Sequence, residues 1–294
     1  MRALVRRLTS TLQIGWRLQR FELGLVVLLG GLTTVILAAE VVRLREVAPS
    51  GECLLAYLVS GTVQSGCPSP RAFIERNNDE AARLMALMAL LPFVLGTIPG
   101  SALVATEIEH RTAQLAWVLE PSRRRWVLER LVPVFAILLV VGLAAGLAGE
   151  ILAGVRTPWL DPGSSFEDYG ARGPVFVMRS LAFAAVGLLA GAIVGRQLPA
   201  LVLGVALCLA VIFTLNTMRP FGEPLVALPV YDPSQANLVV RSAPPVSELS
   251  ESGVFGVEGG RLRSVELRES LLLLGVTVLA TAATVVVIDR RRPY

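Results

Sequence analysis

TEIEHRTAQLAWVLEPSRRRWVLER, residues 106–130, is a charged island between two long apolar runs. It sets Glu107, Glu109, Glu120 and Glu129 against Arg111, Arg123, Arg124, Arg125 and Arg130, and it holds the chain's one histidine, His110. A charged side chain at the centre of a membrane helix costs about 2.5–3.5 kcal/mol on insertion scales. The island therefore belongs in water, and the runs on either side of it belong in lipid.

Composition agrees. Only 17% of the residues are charged, against roughly 25% in soluble domains, and the mean hydropathy is +0.64. About 20 apolar residues cross a bilayer, and six segments are long enough: 21–42, 81–105, 131–153, 174–195, 198–217 and 270–288. The expected fold class is an all-α membrane protein of six transmembrane helices forming a single transmembrane domain over 1–294. Pro92 and Pro99 predict a kinked or broken second helix. Residues 1–20 place Leu4, Val5, Leu8, Leu12 and Trp16 at helical spacing among five arginines. That pattern predicts an N-terminal amphipathic helix on the inner leaflet; the alternative is a disordered basic tail that only sets topology.

All 27 basic residues are arginine. Without lysine there is no Walker A motif, whose lysine reaches the nucleotide phosphates, and no Schiff-base chemistry. Orientation follows the arginines. With both termini inside, the inner segments carry 14 Arg against five acids, and the outer segments 12 Arg against 15 acids. The net charge of +4 follows this topology and calls for no nucleic-acid partner. Two large outer loops result, 43–80 and 218–269. Cys53 and Cys67 lie in the first, on the oxidising side, where a disulfide is expected. The second is rich in proline and predicts a small cap of short elements, or else a flexible linker. Three cysteines and one histidine fit no metal pattern.

Glu40, Glu150 and Arg179 fall at the outer ends of their helices. One reading is a polar outer vestibule in which Arg179 pairs with Glu150 or Glu40; the other is three side chains snorkelling to the interface. No acid lies near mid-membrane, which argues against a proton-coupled transporter. Gly187-x-x-x-Gly191-x-x-x-Gly195 and Gly142-x-x-x-Gly146 permit close helix packing, here expected within one subunit.

Within the island, Ile108, Leu115 and Leu119 are apolar at helical spacing, Pro121 breaks the pattern, and Ser122 stands where it can cap a helix running into the third span. Glu107-x-Glu109-x-x-Thr112 after the second span, then Pro121-Ser122-Arg123, then Arg130, resembles the permeases of the type-2 ABC exporter superfamily. The basic amphipathic N-terminus, six spans and large loop before the last span extend the resemblance over most of the chain. One position departs: Arg111 stands where the family has glycine, which leaves the backbone turn there open. The resemblance implies a membrane permease subunit that is not itself an enzyme. It implies a cytosolic coupling helix at Glu107, Glu109 and Thr112, supported by Pro121, Ser122 and Arg123. It also implies two separate ATP-binding subunits that hold the ATP and Mg, a second permease identical or related to this one, a cell-membrane location and export of a substrate, which the apolar spans suggest is lipophilic. A secondary transporter or a non-transporting scaffold is the alternative. An intramembrane enzyme fits least, because the only histidine is in the island and Asp161, Asp168 and Asp232 lie in outer loops.

Overall fold

A computed structural model of the chain describes residues 20–113, 117, 122–228, 237–242 and 254–291. The amphipathic reading of residues 1–20 falls almost wholly outside them, as does Pro121. The chain is an all-α membrane protein, with six helices among the described residues long and apolar enough to span a bilayer.

In chain order the helices are α1 (Arg20–Val47), α2 (Gly51–Ser60), α3 (Arg71–Arg76), α4 (Ala82–Glu109), α5 (Arg123–Arg156), α6 (Gly173–Val194), α7 (Gln197–Met218) and α8 (Leu262–Arg290). A π-helical turn, Asn77–Ala81, joins α3 to α4. Several helices outrun their apolar segments. α5 starts at Arg123 rather than 131, and α8 at Leu262 rather than 270. The flanks are polar but contain no helix breaker, so the helix continues into water where hydropathy stops signalling a span.

α4 is not broken. It runs from Ala82 to Glu109 through both Pro92 and Pro99. Neighbouring helices make such prolines tolerable in a membrane, and here the neighbour is very close. A Cβ added to Gly96 would lie 2.5 Å from the Ser180 carbonyl oxygen, and one on Gly100 2.3 Å from that of Ala184. From the other side, a Cβ on Gly187 would lie 2.9 Å from the Thr97 carbonyl and one on Gly191 2.6 Å from that of Ser101. The small-residue spacing of α6 thus serves a backbone-to-backbone contact inside one chain. It makes α6 the central helix: 67% of its apolar stretch is buried, against 22% for α7 and 28% for α1 and α8.

At the end of the bundle away from the 106–130 insert, Cys53 and Cys67 are joined in a disulfide with Cα atoms 5.7 Å apart. Leu54 of α2 packs there against Leu37, Val41 and Leu44 of α1 and Phe73 of α3. Among the described residues of the loop before α8 there is a three-stranded antiparallel sheet in the order β1 (Val226–Leu228), β3 (Val254–Val257), β2 (Leu238–Ser242), with a register irregularity between Val239 and Arg241. Val257, Leu262, Val265 and Phe166 form the small core that seats it.

The α4–α6 contact predicts a sharp contrast between glycines. Gly100→Ala must push two backbones apart and is expected to lower stability by about 1–3 kcal/mol. Gly275→Ala meets nothing within 4 Å and should be neutral or stabilising by up to about 1 kcal/mol. Thermal unfolding of the two variants in detergent measures the difference.

Candidate functional site

The insert closes one end of the bundle. α4 ends at Glu109, and the His110 N–H donates to the Thr106 carbonyl at 3.0 Å. The next residue turns the chain: Arg111 has φ +60°, the left-handed region. This is the position where the resemblance calls for glycine, and the turn is of the kind glycine favours. The backbone here takes a left-handed turn with an arginine strained into it. Beyond the turn, the Thr112 hydroxyl donates to the Glu107 carbonyl at 3.1 Å, satisfying one of the open carbonyls at the helix end. Ala113 is buried against the core.

Two tryptophans form the floor of the insert. Trp117 and Trp126 meet edge to face with centroids 5.7 Å apart, and Trp126 is 1% exposed. An arginine stacks on each: the Arg123 guanidinium lies 4.8 Å from the Trp117 ring centre and that of Arg130 4.3 Å from the Trp126 ring centre. Stacked, half-desolvated guanidiniums of this kind are worth more than exposed ones. Both also reach beyond the insert. Arg130 Nε donates to Glu107 Oε1 at 2.6 Å, tying the start of α5 to the end of α4. Arg123 Nη1 donates to the carbonyls of Ile288, Asp289 and Arg291, the last turn of α8. A cation there satisfies open carbonyls and complements the negative end of the helix dipole. Arg124 adds an ion pair to Asp289 at 2.6 Å.

The remaining helices join through their own ends. Glu109 Oε2 accepts the backbone N–H of Gln197, the first residue of α7, at 2.8 Å. A carboxylate at a helix N-terminus is favoured by the dipole. Arg291 Nη1 donates to the Ala192 carbonyl near the end of α6 at 2.7 Å. The insert end therefore touches α4, α5, α7 and α8 directly, and α6 through Arg291. Ser122 is the N-cap residue of α5, and its carbonyl accepts the Trp126 N–H at 3.2 Å, but its side chain makes no capping bond.

Of the residues singled out in the sequence, Glu107, Glu109, Thr112, Ser122 and Arg123 all meet here. The Trp117–Trp126 pair, Gln197, Asp289 and Arg291 were not singled out for this site. The tryptophans carried a weak signal, two indoles nine residues apart in a charged stretch, the second directly after Arg125. Gln197 acts through its backbone, which leaves no mark in sequence.

At the opposite end the expected pairing is corrected. Arg179 bonds neither Glu150 nor Glu40; its Nε and Nη2 both donate to Glu269 Oε1, at 2.9 and 2.6 Å. Glu40 receives Arg76 at 2.7 and 2.8 Å, and Glu150 receives Arg172 at 2.6 Å. The reason is the early start of α8, which carries Glu269, fully buried, into the bundle opposite Arg179. Tyr169 donates to the other oxygen of Glu269 at 2.7 Å. Burial first, and then the Glu269 charge, push the Tyr169 phenol well above its ordinary range. Arg219 stacks on the Tyr169 ring at 5.0 Å. Near the cap, Glu223 accepts Arg261 and Arg268 at 3.0 Å each, and hydrogen bonds from Ser264 and Arg261 hold its carboxyl below the usual range. Most of these pairs clamp a connector to a helix, and Arg179–Glu269 joins α6 to α8.

A polytopic helical bundle with a charged insert clamped between its second and third spans is the architecture of a membrane transport permease. Residues 24–219, from α1 to the end of α7, match the family model described as ABC-2 membrane transporter related, and the chain belongs to that family. No curated protein and no solved structure matches it.

Left-handed Arg111 yields a test of the turn. A non-glycine residue there costs about 1–2 kcal/mol, so Arg111→Gly is expected to raise stability by about 1 kcal/mol, while a β-branched Arg111→Val should lower it. The midpoint of thermal unfolding in detergent, with membrane insertion checked in parallel, decides both.

Proposed function

We propose that this chain is the membrane subunit of an ATP-driven exporter, and that the 106–130 insert is its docking and coupling element for a separate ATP-binding subunit. The observation that carries the reading is the connectivity of the insert. Its charged residues are bonded to the ends of four spans, so a displacement imposed on it reaches those helices together. Glu109 links it to α7, Arg123 and Arg124 to α8, and Arg130 holds α4 to α5. Family membership supports the class of partner. The lack of lysine in the chain removes the Walker A chemistry, in keeping with ATP and its Mg being held by that partner.

The topology that goes with this reading places both termini and the insert in the cytoplasm and the disulfide-bearing loop and sheet cap outside the cell membrane. A second permease, a copy or a relative, completes the translocation path. The cargo is lipophilic, in keeping with walls formed by apolar spans. Charges on the exposed face of the insert, Arg111, Arg124 and Arg125 among them, set partner choice and register more than affinity.

Purification of the full chain from its native membrane is expected to bring down an ATP-hydrolysing partner whose turnover depends on it. Glu109→Gln or Thr112→Ala should cut that dependence several-fold, on the order of 1 kcal/mol of coupling, with insertion and expression unchanged. Unaltered ATPase stimulation and transport in both variants would remove the insert from the coupling path.

A further inference from the structure

An open groove of about 370 Å³ lies between α1 and α4 at the end of the bundle away from the insert. Its α1 wall is Ile36, Ala39, Glu40 and Arg43, one face of that helix; its other wall is Glu80, Arg83 and Leu84. The two helices run in opposite directions, so their sequences grade the groove the same way. Ile36, Ala39 and Leu84 lie toward the middle of the spans. Arg43, Glu80 and Arg83 lie at the mouth, where α1 approaches its end and the π-helical turn opens into α4. Beyond the floor the apolar surface continues through exposed Leu32, one turn before Ile36, and exposed Leu87, one turn after Leu84.

The charges at the mouth are not all spent. Glu40 is 3% exposed and takes both of its bonds from Arg76, which also contacts Glu80. Arg83 is 78% exposed and reaches Asp79 only at 3.7 Å. Arg43 is exposed and makes no ion pair among the described residues. Three carboxylates (Glu40, Asp79, Glu80) and three guanidiniums (Arg43, Arg76, Arg83) therefore balance, with two of the guanidiniums open to a ligand.

We propose that this groove binds a single phospholipid of zwitterionic, amine-bearing headgroup. The phosphate lies between Arg43 and Arg83, whose forked donors suit phosphate oxygens. The ammonium lies against the exposed Glu80 and Asp79, and one acyl chain follows Ile36, Ala39 and Leu84 into the bilayer. A polar mouth above an apolar floor is the form of a site for an amphiphile. The neutral sum of the mouth selects a zwitterion over an anionic lipid, which would leave both carboxylates facing its charge. This site is independent of the insert and of any ATP-binding partner.

Native mass spectrometry of the delipidated full chain, titrated with phosphatidylethanolamine or phosphatidylglycerol, is the direct test. One phosphatidylethanolamine is expected to bind, at least about fivefold tighter than phosphatidylglycerol. Arg43→Gln combined with Arg83→Gln should weaken it about tenfold, and Arg45→Gln, an exposed arginine two residues on from Arg43 and outside the groove lining, should not. Ala39→Phe fills the floor without touching a charge and should abolish binding in a chain whose unfolding midpoint is unchanged. Equal binding by wild type and both groove variants would overturn the site, as would an equal loss in the Arg45 variant. Tighter binding of phosphatidylglycerol would overturn the headgroup assignment.

Discussion

The contact between α4 and α6 governs the rest of the molecule. In lipid, apolar side chains gain little from meeting one another, because the alternative is an equally apolar tail. What remains is dispersion, and that needs close approach. Gly96 and Gly100 on one helix and Gly187 and Gly191 on the other bring the backbones within the reach of a missing Cβ. The same contact flanks Pro99 and lets α4 continue through it. With α6 at the centre, α1, α7 and α8 are left at the rim with most of their apolar surface outward, where lipid or other subunits can meet it.

Charge does the complementary work at the two ends. A guanidinium or carboxylate at the edge of the hydrocarbon is tolerated when it is paired, and removing one partner leaves the other stranded. The pairs here join elements far apart in sequence: Arg76 with Glu40, Arg172 with Glu150, Arg179 with Glu269. The first two fix a connector to a helix, and the third joins α6 to α8. Such pairs are weak evidence for stability and better evidence for geometry, since only one arrangement satisfies them all.

How far the sequence could be read follows from this. Hydropathy located the six spans because crossing a bilayer is a property of length and composition, and the island stood out because its charges could not be immersed. Helix ends were displaced outward, at Arg123 and Leu262, since water-exposed turns of a helix carry no hydropathic signal. Ion-pair partners were not legible. Arg179 had two acids of plausible depth, Glu40 and Glu150, while its partner Glu269 read as part of an outer loop; that pairing depends on where α8 begins and on its rotation, neither of which is encoded locally. The insert was legible as a motif, but its contacts were not: Gln197 contributes a backbone N–H, and the carbonyls of Ile288, Asp289 and Arg291 contribute without regard to side chain.

Arg111 brings these threads together. A left-handed arginine is an energetic cost that the fold carries at one point, and backbone strain persists only where its surroundings over-determine it. The surroundings here are specific. Thr112 closes on the Glu107 carbonyl, Ala113 is buried one residue later, and the Trp117–Trp126 pair holds the far side of the turn against the core. A flexible loop would absorb a push at this end of the bundle. An elbow pinned on both sides of a strained residue, with its arginines bonded to the end of α8, is the rigid connection that the proposed coupling role requires.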